Sequence, residues 1–70
     1  MTTLISIIVN GESRKVPGGL NVVALLGDLN LAPERVAIER NLEILPRAQW
    51  QGTVVQPGDR FEIVHFVGGG

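Results

Sequence analysis

Only one stretch of this 70-residue chain repeats its apolar residues at helical spacing, and the rest must fold around it. Val22, Val23, Leu25, Leu26 and Leu29 recur one, three and four positions apart, which predicts the buried stripe of a helix. Asn21 ahead of them can accept a hydrogen bond from an orphan amide as an N-cap, and Asn30, with Pro33 beyond it, predicts the stop. A helix of about nine residues that carries Gly27 is marginal in isolation, so it must dock on a sheet.

The remaining apolar runs are short and β-branched. Leu4 to Val9 reads as a first strand, Asn10-Gly11 as a tight hairpin turn, and Arg14-Lys15-Val16 as a short returning strand ended by Pro17-Gly18-Gly19. Beyond the helix, Arg35 to Arg40 reads as a strand, Asn41 as a turn, and Leu42 to Leu45 as a short strand halted by Pro46. Ala48-Gln49-Trp50 suggests a turn of helix, with Trp50 lidding the core and its indole N–H at the surface. Pro57-Gly58 suits the centre of a type II turn and launches Arg60 to Val67, the longest candidate strand.

Two strands, a helix, two short strands and a long final strand predict an α+β fold of the β-grasp kind, a mixed four- to five-stranded sheet packed on one helix. That topology, once adopted, sets the first and last strands side by side at the sheet centre. Seventy residues suffice for a single domain, expected over 1–70, because a second core would need roughly another hundred. With no cysteine, disulfides and thiolate metal sites are excluded, and one histidine with scattered carboxylates offers no metal-ligand cluster. Six Lys and Arg against seven Asp and Glu, two Phe, one Trp and no Tyr supply neither the basic excess nor the stacking platform of a nucleic-acid binder. The apolar runs are far short of the roughly 20 residues of a membrane helix, and the start of the chain lacks the pattern of a secretory signal, so the cytoplasm is the expected location.

At its C-terminal end the last strand runs straight into Gly68-Gly69-Gly70, which bring no side-chain chemistry. Glycines lack Cβ, so 68–70 are expected to form a flexible tail able to thread a channel too narrow for other residues; a frayed end has the same composition. The stretch Val36-Ala37-Ile38-Glu39-Arg40-Asn41-Leu42-Glu43-Ile44-Leu45-Pro46-Arg47, then Trp50, Gly58-Asp59 and the terminal Gly69-Gly70, resembles the sulfur carrier family of thiamine biosynthesis, a ubiquitin-like group. The likeness covers essentially the whole chain, and Gly68 is a third glycine where relatives often carry a small or apolar residue.

The resemblance implies a protein substrate rather than an enzyme, with Gly70 as the modified residue and Gly68 and Gly69 entering partner sites. A terminal carboxylate is an anion at neutral pH and a poor electrophile, so it must be activated. In the family an adenylating, ubiquitin-activating-like enzyme joins it to AMP with ATP and magnesium. Sulfur from cysteine, supplied by a system such as a cysteine desulfurase, then replaces AMP, and thiazole synthase uses the thiocarboxylate. The chain itself is expected to bind no cofactor. The alternatives are a carrier for molybdopterin or another sulfur pathway, or a β-grasp interaction module without tail chemistry.

Alternation along the final strand sets Phe61, Ile63, His65 and Val67 on one face and Arg60, Glu62, Val64 and Phe66 on the other. If the first set meets the helix, Val64 and Phe66 lie exposed beside the tail, and Val64, Phe66 and Val67 become the expected partner-binding residues. His65 has no evident carboxylate or hydroxyl partner and reads as a spacer rather than a general base. Asp59 reads as turn chemistry, and Arg35, Arg40, Arg47 and Arg60 as a solvated face. A single lysine, Lys15, argues against a polymer-forming modifier.

Overall fold

The computed structural model describes residues 3–66. Asn10 and Gly11 both take the left-handed region, at φ 50° and 81°, the backbone a two-residue hairpin requires. β1 (Leu4–Val9) therefore pairs antiparallel with β2 (Glu12–Pro17), with Val9 opposite Glu12 and Leu4 opposite Pro17. β2 is longer than the predicted Arg14–Val16, and Pro17 lies within it. Gly18 N–H donates to the Thr3 carbonyl at 2.7 Å, so by alternation the Pro17 nitrogen points off the sheet edge, where a missing donor costs nothing.

α1 (Val22–Asp28) starts as predicted, the Asn21 side chain accepting the Ala24 N–H at 2.8 Å. It spans 7 residues, and Asn30 turns the chain out at φ 61°. Val22, Leu25 and Leu26 are fully buried, whereas Val23, predicted on the same stripe, is 39% exposed because it projects from the flank of the helix. A 3-10 turn at Pro33–Arg35 takes Arg35 out of the predicted strand, so β3 covers Val36–Arg40.

Asn41 and Leu42 form the next turn, at φ 52° and 72°, which leaves β4 only Glu43–Ile44. Leu42 was expected inside the strand; it sits instead in a conformation that opposes its Cβ, 74% exposed. A second 3-10 turn, Arg47–Gln49, delivers Trp50 to the core at 3% exposure. Its indole N–H is not at the surface but donates to the Leu45 carbonyl at 2.9 Å, so the buried donor is satisfied. The turn before β5 (Arg60–His65) is closed by Asp59 N–H to the Gln56 carbonyl at 3.1 Å with Gly58 at φ 84°, as Pro57-Gly58 predicts.

The five strands make one mixed sheet in the order β2-β1-β5-β3-β4. β5 is central, parallel to β1 and antiparallel to β3. One face packs on α1 through a core that includes Ile7, Val16, Leu25, Leu26, Phe61 and Trp50.

Candidate functional site

The end of β5 is the site that the sequence singles out, and the central position of the strand fixes where it points. Phe61 and Ile63 are buried on the helix side, while Val64 is 62% and Phe66 55% exposed. Phe66 N–H donates to the Arg35 carbonyl at 2.9 Å, so β5 keeps its line along β3 for one residue beyond His65. Val67, expected as a partner-binding residue, and Gly68, Gly69 and Gly70, expected as the tail and the modified residue, lie outside the described residues.

Several polar contacts anchor this strand. Asn10, in the hairpin turn, donates its main-chain N–H to the Phe61 carbonyl at 2.9 Å, and its side-chain amide bonds both the N–H and the carbonyl of Ile63. β1 has turned away by this point, and the amide stands in for its next peptide. At the other end Asp59 is 5% exposed and its carboxylate is fully occupied. Oδ2 accepts from Arg40 Nε at 3.0 Å, from a second Arg40 nitrogen at 2.9 Å and from Gln56 N–H at 2.8 Å, and Oδ1 accepts from Asn41 Nδ2 at 3.3 Å. Asn41 Oδ1 in turn accepts Arg60 N–H at 3.0 Å. Asp59 is therefore a buried hub joining the β3–β4 turn to the start of β5, more than the local turn residue that the sequence suggests.

Two arginines expected on a solvated face are also committed. Arg40 pairs with Asp59, and Arg47 donates to the carbonyls of Pro33 and Val36 while its guanidinium lies 4.4 Å over the Trp50 ring. Arg47 thereby covers part of the β3 edge that the two-residue β4 leaves open. No sequence signal pairs Asp59 with Arg40 or Asn10 with Ile63, because each contact joins residues that local periodicity treats as unrelated.

On the face away from the helix, register puts Ala37 opposite Val64 and Glu39 opposite Glu62. His65 is exposed although alternation assigns it to the helix side, and its imidazole bonds no other described residue. Among the described residues no three His, Cys, Asp or Glu side chains gather as a metal site, and no helix is long and apolar enough to cross a membrane. The described geometry offers no acid–base pair or nucleophile with an activating partner; it presents the end of a strand beside an exposed face.

The family model described as ThiS family matches residues 7–70. A thiazole synthase of Paramagnetospirillum magneticum is 45% identical over 64 residues, 91% of this chain and 20% of that protein. The sulfur carrier protein ThiS of Escherichia coli is 31% identical over 64 residues, 91% of this chain and 97% of that one. A crystal structure of the thiamine biosynthesis protein ThiS from Geobacter metallireducens superposes with a TM-score of 0.81 at 39% identity, covering 94% of this chain and 100% of that one. The chain spans about a fifth of the length of the thiazole synthases it matches.

Proposed function

The chain belongs to the ThiS family, and on that premise we propose that it carries sulfur for thiamine biosynthesis on the terminal carboxylate of Gly70. The observation that carries this reading is the match to a sulfur carrier over nearly the full length of both chains. In the first step a Gly70 carboxylate oxygen attacks the α-phosphorus of ATP on an adenylating enzyme; pyrophosphate leaves and the acyl carbon is joined to AMP. The outer sulfur of a persulfide, formed from cysteine by a donor such as a desulfurase, then attacks that carbon and AMP leaves. A thiol attacks the donor-side sulfur of the resulting acyl disulfide, so that the thiocarboxylate departs and the thiol and donor sulfur are left as a disulfide.

The fold's part in this chemistry is presentation, and the chain is a substrate in each step rather than a catalyst. The central strand holds Val64 and Phe66 outward, and these, with Val67, form the surface on which partners dock before Gly68 and Gly69 lead Gly70 into the reacting site. Thiazole synthase is the proposed acceptor of the sulfur. That pairing is supported by two thiazole synthases in which a segment similar to 91% and 87% of this chain, respectively, belongs to the same polypeptide.

The test is pyrophosphate exchange into ATP by a cognate adenylating enzyme in the presence of this chain, with and without Gly70. Exchange that depends on the full chain and vanishes on deletion of Gly70 is expected. Equal exchange with the deleted chain, which ends in the carboxylate of Gly69, overturns the assignment of Gly70 as the required acceptor.

A further inference from the structure

The last described rung of β5 does not end on a strand. Phe66 N–H donates to the Arg35 carbonyl at 2.9 Å, and Arg35 belongs to the 3-10 turn Pro33–Arg35, ahead of β3. That turn has no buried residue and no side-chain cap, and its own main-chain bond is Arg35 N–H to the Ala32 carbonyl at 3.0 Å. A three-residue 3-10 turn so lightly tied opens readily unless something outside it holds it. Arg47 does so. Its guanidinium donates to the Pro33 carbonyl and, at 3.0 Å, to the Val36 carbonyl, so it grips the chain on both sides of Arg35. The same group lies 4.4 Å over the ring of Trp50, which is buried and tied by its indole N–H to the Leu45 carbonyl. A line of contacts therefore runs from the core through Trp50 and Arg47 to the turn that offers the Arg35 carbonyl, and from there to the residue that precedes 67–70.

We propose that Arg47 is a positioning residue for adenylation: by bracing the Pro33–Arg35 turn it fixes Phe66, and with it the point from which the chain leads to Gly70; this rests on the sulfur-carrier reading above. An enzyme that takes up this C-terminus must order whatever is not already fixed, and each loose residue costs binding free energy. With Phe66 held in the free chain, its ring is presented in one place and the residues beyond it start from a set origin. Arg47 touches no reacting atom, so its loss acts on capture of the chain rather than on the chemical step. The choice of arginine follows from geometry. A planar fork of donors can serve two carbonyls while its face stacks on an indole, which the single ammonium of a lysine cannot do.

The deciding experiment compares wild type, Arg47→Met, Arg47→Lys and Val16→Ala in denaturation, in amide hydrogen exchange and in the kinetics of adenylation by the cognate enzyme, at a temperature where each is folded. Arg47 is exposed, so methionine keeps an apolar stem on Trp50, removes the donors and opens no cavity. Val16→Ala truncates the core under β2, at the opposite edge of the sheet, and is the control for general loss of stability. Arg47→Met is expected to speed exchange of the Phe66 amide hydrogen and to raise KM for the chain about five- to tenfold with kcat within about twofold of wild type. Arg47→Lys should fall between the two, and Val16→Ala should keep the wild-type KM. Should Arg47→Met not fold, Arg47→Lys decides alone, a raised KM supporting the proposal and a wild-type KM overturning it. Wild type that is adenylated while folded Arg47→Met keeps its KM or its Phe66 exchange, or while Val16→Ala raises KM equally, overturns the proposal and leaves the sulfur-carrier reading standing. Wild type that is not adenylated by an enzyme active on another carrier overturns both.

Discussion

The side-chain amide of Asn10 pairs with Ile63 as a strand would, donating from Nδ2 to the Ile63 carbonyl at 3.2 Å and accepting the Ile63 N–H on Oδ1 at 2.7 Å. A single side chain thus continues the parallel β1–β5 ladder past the point where β1 ends, and holds the central strand toward its C-terminal end. Asn10→Gly keeps the left-handed turn accessible and removes only the amide. It is expected to cost about 2 kcal/mol in urea denaturation and to speed exchange of the Ile63 amide hydrogen. Unchanged exchange at Ile63 would show that the amide does not carry the ladder.

Leu42 occupies φ 72° with its side chain in solvent, so its Cβ strains the backbone while burying little. Leu42→Gly is expected to stabilise the fold by about 0.5–1 kcal/mol, the relief of left-handed strain outweighing the extra freedom of the unfolded chain. Leu42→Val, branched at Cβ, is expected to do the opposite. Denaturant midpoints of the two variants on either side of wild type are the check.

Asp59 and Arg40 are predicted to be energetically coupled. Asp59→Ala strips partners from Arg40, Asn41 and the Gln56 N–H together, and is expected to cost about 3 kcal/mol. Combining it with Arg40→Ala should cost at least about 1 kcal/mol less than the sum of the single changes. Simple additivity would mean that the ion pair contributes nothing of its own.

Much of this fold is legible in the chain because its signals are local. Asn10-Gly11 and Pro57-Gly58 declare their turns within two residues, Asn21 declares the helix start, and alternation in β5 places Phe61 and Ile63 inside with Val64 and Phe66 outside. What escapes is long range or context dependent. Pro17 reads as a breaker until β2 is known to be an edge, and Leu42 reads as strand because apolar content says nothing about a left-handed turn. Trp50 looks like a surface lid until the Leu45 carbonyl is found beside its N–H. Of the expected site, the outward placement of Val64 and Phe66 follows from strand period, whereas the Glu39–Glu62 juxtaposition needs the β3–β5 register.

The proposed docking role of Phe66 separates binding from folding. Phe66→Asp is expected to weaken the adenylating enzyme's hold on the chain while shifting stability by no more than about 0.5 kcal/mol, because the ring is 55% exposed. Loss of the folded state in circular dichroism would instead make Phe66 part of the core.

The most direct measurement is the intact mass of the full chain before and after incubation with a cognate adenylating enzyme, ATP, magnesium and a cysteine-fed sulfur source, beside a chain lacking Gly70. A sulfur carrier should pass through an AMP adduct and end with one oxygen exchanged for sulfur, in the full-length chain alone. An unchanged mass, with the same enzymes active on another carrier, would contradict sulfur carriage at Gly70.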